Sequence, residues 1–237
     1  MELRVDVFLV KKGLVESRNK ALELIKNSKI KIDGKIVKKA SLKVNEDNKV
    51  EILVDKVYVS RAALKLKNYI TKHNISFKDK KVLDVGASTG GFSEVVLESN
   101  PKKVVCVDVG VGQLHKSLLN RVENYENCDI RNFNYSEKFD VIVSDVSFIS
   151  LNKIIDKLDS LADEFILLFK PQFEVGKNVK RDKNGVVKDK EAIDKAMKNF
   201  EENCKKLNWN LIRKEKSSIL GKEGNEEFIY HFKSLKP

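Results

Sequence analysis

A chain of 237 residues, 41% hydrophobic and 34% charged, is long enough for two domains and can bury a sizeable core. No apolar run reaches the roughly 20 residues that a bilayer-spanning helix needs, which argues against a membrane-spanning protein. The formal net charge of +11 favours a polyanionic partner, such as nucleic acid or an anionic membrane surface. A Lys-rich, solvated surface explains the charge alone equally well.

The first residues alternate charged with apolar side chains, so we expect no secretory signal. The three cysteines, Cys106, Cys128 and Cys204, are far apart and form no CxxC pair. This spacing indicates neither a zinc site nor a disulfide framework. We therefore expect a protein of the reducing cytoplasm that uses no metal.

The first sixty residues predict two helices followed by a small β-unit. A short amphipathic helix begins with residues 6–10 and ends at Gly13, and Ser17 is placed to cap a second helix. Asp33-Gly34 lies between alternating residues, which predicts a tight hairpin because both turn positions need positive φ. Val50, Ile52 and Val54 continue the alternation in a further strand.

This segment resembles the RNA-binding domain named after protein four of the small ribosomal subunit. The order Gly13, Ser17-Arg18, Ala21 and Ile25, and the following I-K-I-D-G-K hairpin, carry the resemblance. It implies that the second helix and the hairpin present cations to structured RNA, namely Arg18, Lys20, Lys31 and Lys35. For any single lysine a solvated surface is the simpler interpretation, whereas the cluster favours RNA because phosphate binding uses many cations on one face.

The domain boundary is predicted from a change of pattern after residue 58. Residues 1–58 hold 14 Lys and Arg against nine Asp and Glu, so a large part of the positive excess lies there. The chain then continues without enrichment in Gly, Pro or Ser, which indicates a short linker. We expect domains at 1–58 and 59–237.

The second domain opens with a nucleotide-binding pattern. Strand residues 82–85 are followed by glycines and then by a helix over 92–97, and Gly86 and Gly90 would let the backbone pass close to a ligand. Asp108 ends the next strand, 24 residues after Asp84, near the spacing at which such folds place an acid on ribose hydroxyls. This arrangement suits NAD as well as S-adenosylmethionine. The absence of GxGxxG spacing, and Asp84 at the end of the first strand, favour S-adenosylmethionine.

Further strands follow in a βαβ rhythm that predicts an α/β fold. Apolar runs over 139–144 and 165–169 end at Asp145 and Lys170, a helix is expected over 189–204, and the last strands over 210–214 and 228–232. Ligands bind at the carboxyl ends of strands in such sheets. An acid and a lysine at neighbouring strand ends therefore predict an active site.

At this point the chain resembles the TlyA family, FtsJ-like ribosomal-RNA 2′-O-methyltransferases that are often labelled hemolysins. The motifs that carry the resemblance span most of the chain: S-R-A-A-L-K-L (60–66), L-D-V-G-A-S-T-G-G-F (83–92), V-D-V-G-V-G-Q-L (107–114), S-D-V-S-F-I-S-L (144–151), K-P-Q-F-E-V-G (170–176) and G-N-E-E-F (224–228). The resemblance implies a Rossmann-like class I methyltransferase sheet behind a small α+β RNA-binding domain.

The same resemblance implies the roles of individual residues. The family's catalytic Lys-Asp-Lys-Glu tetrad corresponds to Lys65, Asp145, Lys170 and Glu227, with Glu227 chosen over Glu226 because the motif leaves one residue after the Asn. The residues expected to bind the cofactor are Asp84, Gly86, Ser88, Gly90, Asp108 and Asp129.

The implied reaction is transfer of a methyl group from S-adenosylmethionine to a ribose 2′-hydroxyl of ribosomal RNA, at a cytidine. The expected partners are ribosomal RNA or ribosomal subunits, without membrane or metal. Two other classes stay open at this point: a membrane-active hemolysin, which the family label suggests, and a non-catalytic ribosome-binding factor.

Overall fold

The computed structural model describes residues 2–53 and 56–236. The chain divides into two compact units, residues 1–57 and 58–237. The side chain of Tyr58 is buried in the core of the second unit, so the division falls one residue before the predicted boundary. Among the described residues no helix is both long and apolar enough to cross a membrane.

The described residues of the first unit form two helices and five short strands. They are β1 (Leu3–Arg4), α1 (Val5–Lys11), α2 (Arg18–Lys26), β2 (Ile30–Ile32), β3 (Lys35–Ile36), β4 (Lys43–Val44) and β5 (Val50–Ile52).

Local sequence accounts for these elements. The Ser17 side chain accepts a hydrogen bond from the Lys20 N–H and caps α2 as predicted. Asp33 and Gly34 have φ of 48° and 76°, the conformation the tight turn between β2 and β3 requires. β2 pairs antiparallel with both β3 and β5, and both helices bury their apolar faces in one core. Val54, assigned to the last strand by the sequence pattern, lies outside the described residues.

In the second unit, residues 58–236 form five helices and seven strands. They are α3 (Ala63–Lys72), β6 (Lys81–Val85), α4 (Gly91–Leu97), β7 (Lys103–Val107), β8 (Glu123–Tyr125), β9 (Val141–Ser144), α5 (Ile155–Leu161), β10 (Glu164–Phe169), α6 (Pro171–Glu174), α7 (Lys190–Lys206), β11 (Trp209–Lys216) and β12 (Phe228–Ser234). Short 3₁₀ turns lie at Ile130–Asn132 and Leu151–Lys153.

The seven strands form one sheet in the order β11-β12-β10-β9-β6-β7-β8. β6 to β10 run parallel, while β12 is antiparallel to both β10 and β11. Alternate strand residues enter two cores, one covered by α3 and α4 and the other by α5 and α7. Val85 lies opposite Val107 and Ser144, so these strands end at one edge of the sheet.

The predicted α/β fold is confirmed, and the differences concern short elements. β8 and α5 were not predicted, since three half-buried residues and a seven-residue helix give little periodic signal. Glu226 and Glu227 directly precede β12, which begins at Phe228 as predicted. The pairing of β11 with β12 ends at Phe228, opposite Lys216.

Candidate active site

Four charged side chains meet at the carboxyl ends of β9 and β10. Lys65 comes from α3, Asp145 follows β9, Lys170 follows β10 and Glu227 precedes β12. Lys170 Nζ lies 2.6 Å from Asp145 Oδ1, and Lys65 Nζ lies 2.5 Å from Glu227 Oε2 and 3.8 Å from Asp145 Oδ2. The structure thus brings the four predicted catalytic residues into one connected cluster.

The cluster is nearly closed to solvent and balanced in charge. Its side chains are between 3% and 13% exposed. Buried charges persist in proteins when they are paired, and two ammonium groups here face two carboxylates. Lys170 Nζ also donates to Ser147 Oγ at 2.7 Å and to the Asp145 carbonyl at 3.2 Å. The contact of Lys170 Nζ with Asp145 Oδ1 is an ion pair, since that oxygen has no hydrogen-bond partner among the described residues.

The adjacent residues Glu226 and Glu227 differ in exposure and in ion-pair partner. Glu226 is exposed and pairs with Lys216 at 2.8 Å, whereas Glu227 is 3% exposed and faces Lys65. A Cβ on Gly221 would lie 2.6 Å from Glu227 Oε1, so this loop position needs a glycine to admit the carboxylate.

Two adjoining cavities open beside the cluster. The larger, of about 570 Å³, is lined by Asp108, Asp129 and the chain from Asp145 to Ile149. The smaller, of about 170 Å³, is lined by Asp84, Thr89 and Lys170. Both share four residues: Gly86, Ser88, Asp145 and Ser147.

Asp84 faces the smaller cavity with half of its carboxylate unused. Its Oδ2 accepts from the Ser93 N–H at 2.9 Å and from the Ser93 hydroxyl at 2.6 Å. Its Oδ1 is buried and has no hydrogen-bond partner among the described residues. Burial, reinforced by the nearby carboxylates of Asp145 and Asp108, raises the pKa of Asp84 to about 7. An unsatisfied buried acceptor at a cavity wall fits a cationic ligand group.

Asp108 and Asp129 both line the larger cavity, but their carboxylates have different partners. Asp108 accepts from the Ser88 N–H at 2.8 Å and from the Gly110 N–H at 2.7 Å, so its orientation is fixed by the backbone. Asp129 is paired with the Arg131 guanidinium at 2.5 Å, which lowers the pKa of its carboxyl. A ligand at Asp129 therefore meets an ion pair and not a free carboxylate.

The two predicted cofactor glycines do different things. Gly86 has φ of +77°, lines both cavities and lies close to Val146, where an added Cβ would approach within 3.0 Å. Gly90 has φ of +88°. A Cβ added to it would lie only 2.4 Å from Leu118 Cδ1 and 2.7 Å from Leu114 Cδ1, so the glycine leaves room for these two leucines. The missing Cβ of Gly90 thus allows close packing at the start of α4, and its approach to a ligand stays a prediction.

Sequence reasoning missed several residues of this site. Ser147 contacts Lys170, and Phe148 lies at the cavity rim with φ of +66° and a ring 91% exposed. Ser93 holds Asp84. Ser147 and Phe148 stand in the S-D-V-S-F-I-S-L motif, of which only the aspartate was used, so motif membership was the available signal.

In the first unit, two of the predicted RNA-binding cations are paired internally. The Arg18 guanidinium lies 2.9 Å from Asp6, a fully buried carboxylate whose pKa Arg4 and Arg18 together lower to about 2. Lys20 pairs with Glu23 at 3.1 Å.

The other two cations lie on the hairpin. Lys31, in β2, stands opposite Glu51 in the strand register. Lys35, in β3, is exposed. Lys31 and Lys35 lie on one hairpin, where Lys31 pairs with Ile36 and Lys35 with Ile32, so their side chains leave opposite faces of it. Arg18 and Lys20 lie in α2.

Comparison with known protein families agrees with this architecture. The FtsJ-like methyltransferase family matches residues 58–234, and the S4 domain family matches residues 3–50. The first match covers most of the chain.

Relatives match over nearly the whole chain. A protein named 23S rRNA (cytidine-2′-O)-methyltransferase TlyA, from Campylobacter jejuni, is 48% identical over 97% of this chain and 99% of its own length. The 16S/23S rRNA (cytidine-2′-O)-methyltransferase TlyA of Mycobacterium tuberculosis is 36% identical over 95% and 88%. A solved structure from Streptococcus thermophilus, described as a hemolysin, superposes with a TM-score of 0.73 at 32% identity, covering 100% of this chain and 90% of that one. The chain therefore belongs to the FtsJ-like methyltransferase family, within its TlyA group.

Proposed function

We propose that the chain transfers the methyl group of S-adenosylmethionine to the 2′-hydroxyl of a cytidine ribose in ribosomal RNA. The observation that supports this most directly is the buried cluster of Lys65, Asp145, Lys170 and Glu227 beside the two cavities. The names of the Campylobacter and Mycobacterium relatives suggest the ribosomal RNA and the cytidine. Ribosomal subunits are then the partner, and the cytoplasm is the compartment.

The residues around the cavities fit S-adenosylmethionine. The free Oδ1 of Asp84 would accept the ammonium group of the methionine moiety, and Asp108 would accept the ribose hydroxyls. Gly86 and Ser88 stand between them, and Asp129 would lie towards the adenine. When bound, the cofactor supplies an electrophilic methyl group on its sulfonium.

Lys170 would orient the acceptor hydroxyl, and to act as a base it would do so as the neutral amine, accepting the hydroxyl proton as the O–CH3 bond forms and the S–CH3 bond breaks. Its Nζ donates to Ser147 Oγ at the point where both cavities meet, and a substrate hydroxyl would replace that contact. Asp145 and Glu227 balance the charges of Lys170 and Lys65 and fix the positions of the two lysine side chains. Proton transfer by a positioned group contributes about 10²–10⁴-fold to rate, and alignment of the reacting atoms adds more.

Methylation of a base is less consistent with these residues. Cytosine C5 methylation uses a cysteine nucleophile, but Cys106 is buried inside β7, and burial raises the pKa of both Cys106 and Cys128. Methylation of an exocyclic amine uses a proline-rich motif after the strand that here ends at Ser144. This chain has Asp145-Val146-Ser147-Phe148 there.

The test is a map of ribose methylation in ribosomal RNA from cells with and without the gene, read by mass spectrometry. We expect one or more 2′-O-methylcytidines to disappear with the gene. Because a 2′-O-methyl group blocks alkaline cleavage at its own phosphodiester, purified enzyme should create an alkali-resistant position. Normal cleavage at the methylated nucleotide would refute the assignment. Leakage of liposomes caused by pure protein would instead support a membrane-active function.

A further inference from the structure

The loop after β9, residues 145–151, contributes side chains to the charged cluster and forms part of the wall of the larger cavity. It holds Asp145 and Ser147, and Val146 to Ile149 line the larger cavity. Phe148 has φ of +66°, in the left-handed region that bulky residues rarely adopt. Such a conformation costs free energy and persists only when neighbouring contacts impose it.

The segment after β10, residues 170–174, supplies those contacts at three points. Lys170 Nζ binds Ser147 Oγ at 2.7 Å and the Asp145 carbonyl at 3.2 Å. The Phe173 ring lies 5.2 Å from the Phe148 ring, centroid to centroid. The third point is Glu174, at the far end of the loop.

Both carboxylate oxygens of Glu174 accept hydrogen bonds from the end of this loop. Its Oε2 accepts from the Ser150 hydroxyl at 2.6 Å, and its Oε1 accepts from the Leu151 N–H at 2.8 Å. Burial raises the pKa of Glu174, and these two donors compensate its charge in part. The Ser150 hydroxyl also accepts from the Asn152 N–H, so Glu174 supports the start of the following 3₁₀ turn as well.

We propose that Glu174 is a positioning residue for methyl transfer, which holds the 145–151 loop so that Ser147 and Phe148 keep their places beside Lys170. This inference rests on the proposed function for its kinetic consequence. Lys170 and Phe173 hold the first half of the loop, and Glu174 alone among the three holds the end at Ser150 and Leu151. Without that anchor, the strained turn at Phe148 can relax and shift the cavity wall.

The central experiment compares Glu174→Ala with Glu174→Gln. A glutamine keeps an oxygen acceptor for the Leu151 N–H and can donate to the Ser150 hydroxyl, so it preserves both contacts. We expect Glu174→Ala to lower kcat about 10- to 100-fold, the scale on which a misplacement of about 1 Å acts. S-adenosylmethionine should bind several-fold more weakly, since the loop lines its cavity. Glu174→Gln should recover most of both losses.

Glu201→Ala is the matched control. Glu201 also accepts two hydrogen bonds, from the Tyr230 hydroxyl and from Lys214, each at 2.8 Å, but it lies in α7 and its partners lie in β12 and β11. We expect Glu201→Ala to lower Tm by about as much as Glu174→Ala does, but to leave kcat unchanged. Hydrogen exchange should speed up at the amides of residues 147–151 in Glu174→Ala and stay unchanged there in Glu201→Ala.

Equal kcat losses in Glu174→Ala and Glu201→Ala, or a glutamine variant as defective as the alanine one, would overturn the proposal. So would an unchanged exchange rate over residues 147–151. Exchange and cofactor binding do not depend on the identity of the methyl acceptor. If the wild-type protein left no 2′-O-methyl group, the proposed function would fail while these two measurements still decided the role of Glu174.

Discussion

Replacing Asp84 with Asn tests how the cofactor's charged end is held. The substitution keeps the shape of a buried side chain that lines the smaller cavity. Its Oδ2 is fixed by Ser93, and its Oδ1 has no hydrogen-bond partner within the described part of the chain. The substitution removes the charge and turns an N–H donor towards a cationic ligand. A hydrogen bond to a charged group contributes about 1.5–3 kcal/mol, which corresponds to a loss of affinity of about 10- to 150-fold.

Calorimetry at pH 8 with three ligands separates this effect from a general defect. S-adenosylmethionine and S-adenosylhomocysteine both carry the amino-acid moiety and should lose affinity alike. Methylthioadenosine lacks that moiety, so its affinity should not change. If Asp84→Asn bound S-adenosylmethionine as tightly as the wild type, or lost methylthioadenosine to the same degree, the assignment of Asp84 would be refuted.

The pH dependence follows from the raised pKa of Asp84, about 7 in the folded protein. Below that pH the carboxyl is neutral, so binding of the ammonium group should weaken about tenfold per pH unit as the pH falls, and this dependence should vanish in Asp84→Asn. An acid whose pKa is raised by folding destabilises the folded state once it ionises, by up to about 4 kcal/mol here. The Tm of Asp84→Asn at pH 8 should therefore equal or exceed that of the wild type.

Four further predictions address other parts of the molecule. Lys170→Ala should lower methyl transfer by about 10²–10⁴-fold, far more than the several-fold weakening of cofactor binding that loss of its contacts with the 145–151 loop predicts; a variant that still methylates at the normal rate would remove Lys170 from the mechanism. Phe148→Ala should lower kcat/KM for RNA about 5- to 150-fold, the scale of one lost base–aromatic stacking contact, and this loss should exceed any change in cofactor affinity. Lys35→Ala should lower RNA affinity and reduce the slope of log K against log salt by about 1, and an unchanged slope would place Lys35 away from phosphate. Glu164, which burial alone would make harder to ionise, has its pKa lowered to about 2 by His231 and nearby lysines; it therefore stabilises the fold above pH 4.5, and this contribution, at most about 3 kcal/mol, is lost as the pH falls towards 2. Urea unfolding of Glu164→Gln should show the deficit at pH 7 and little at pH 2.5.

The predictable part of this protein depends on patterns of short range. Each of the strands β6, β7, β9 and β10 is formed by one short run of mainly apolar residues. The strand conformation therefore follows from the local pattern, and the position of the carboxyl end follows from the polar residue after each run. The same holds for the Asp33-Gly34 turn and the Ser17 cap, where the determining atoms lie within three residues of each other. Asp84, Asp108, Asp145 and Lys170 were found in this way.

Family resemblance extended the prediction to Lys65 and Glu227, but only the tertiary structure brings them together. Their side chains lie 2.5 Å apart although 162 positions separate them, because antiparallel β12 inserts beside β10 and α3 packs over the same sheet. Glu227 pairs with the buried Lys65 while Glu226 pairs with the exposed Lys216, a difference that no local pattern reveals.

Contacts between distant segments also decided what the sequence could not assign. Gly90 faces Leu114 and Leu118, Arg18 is tied to the buried Asp6, and Glu174 holds Ser150 across 24 positions. In each case the residue type was visible in the sequence, but its partner is selected by packing. A side chain's periodicity predicts which face it occupies, whereas the atom it meets there depends on how separate elements of the chain pack together.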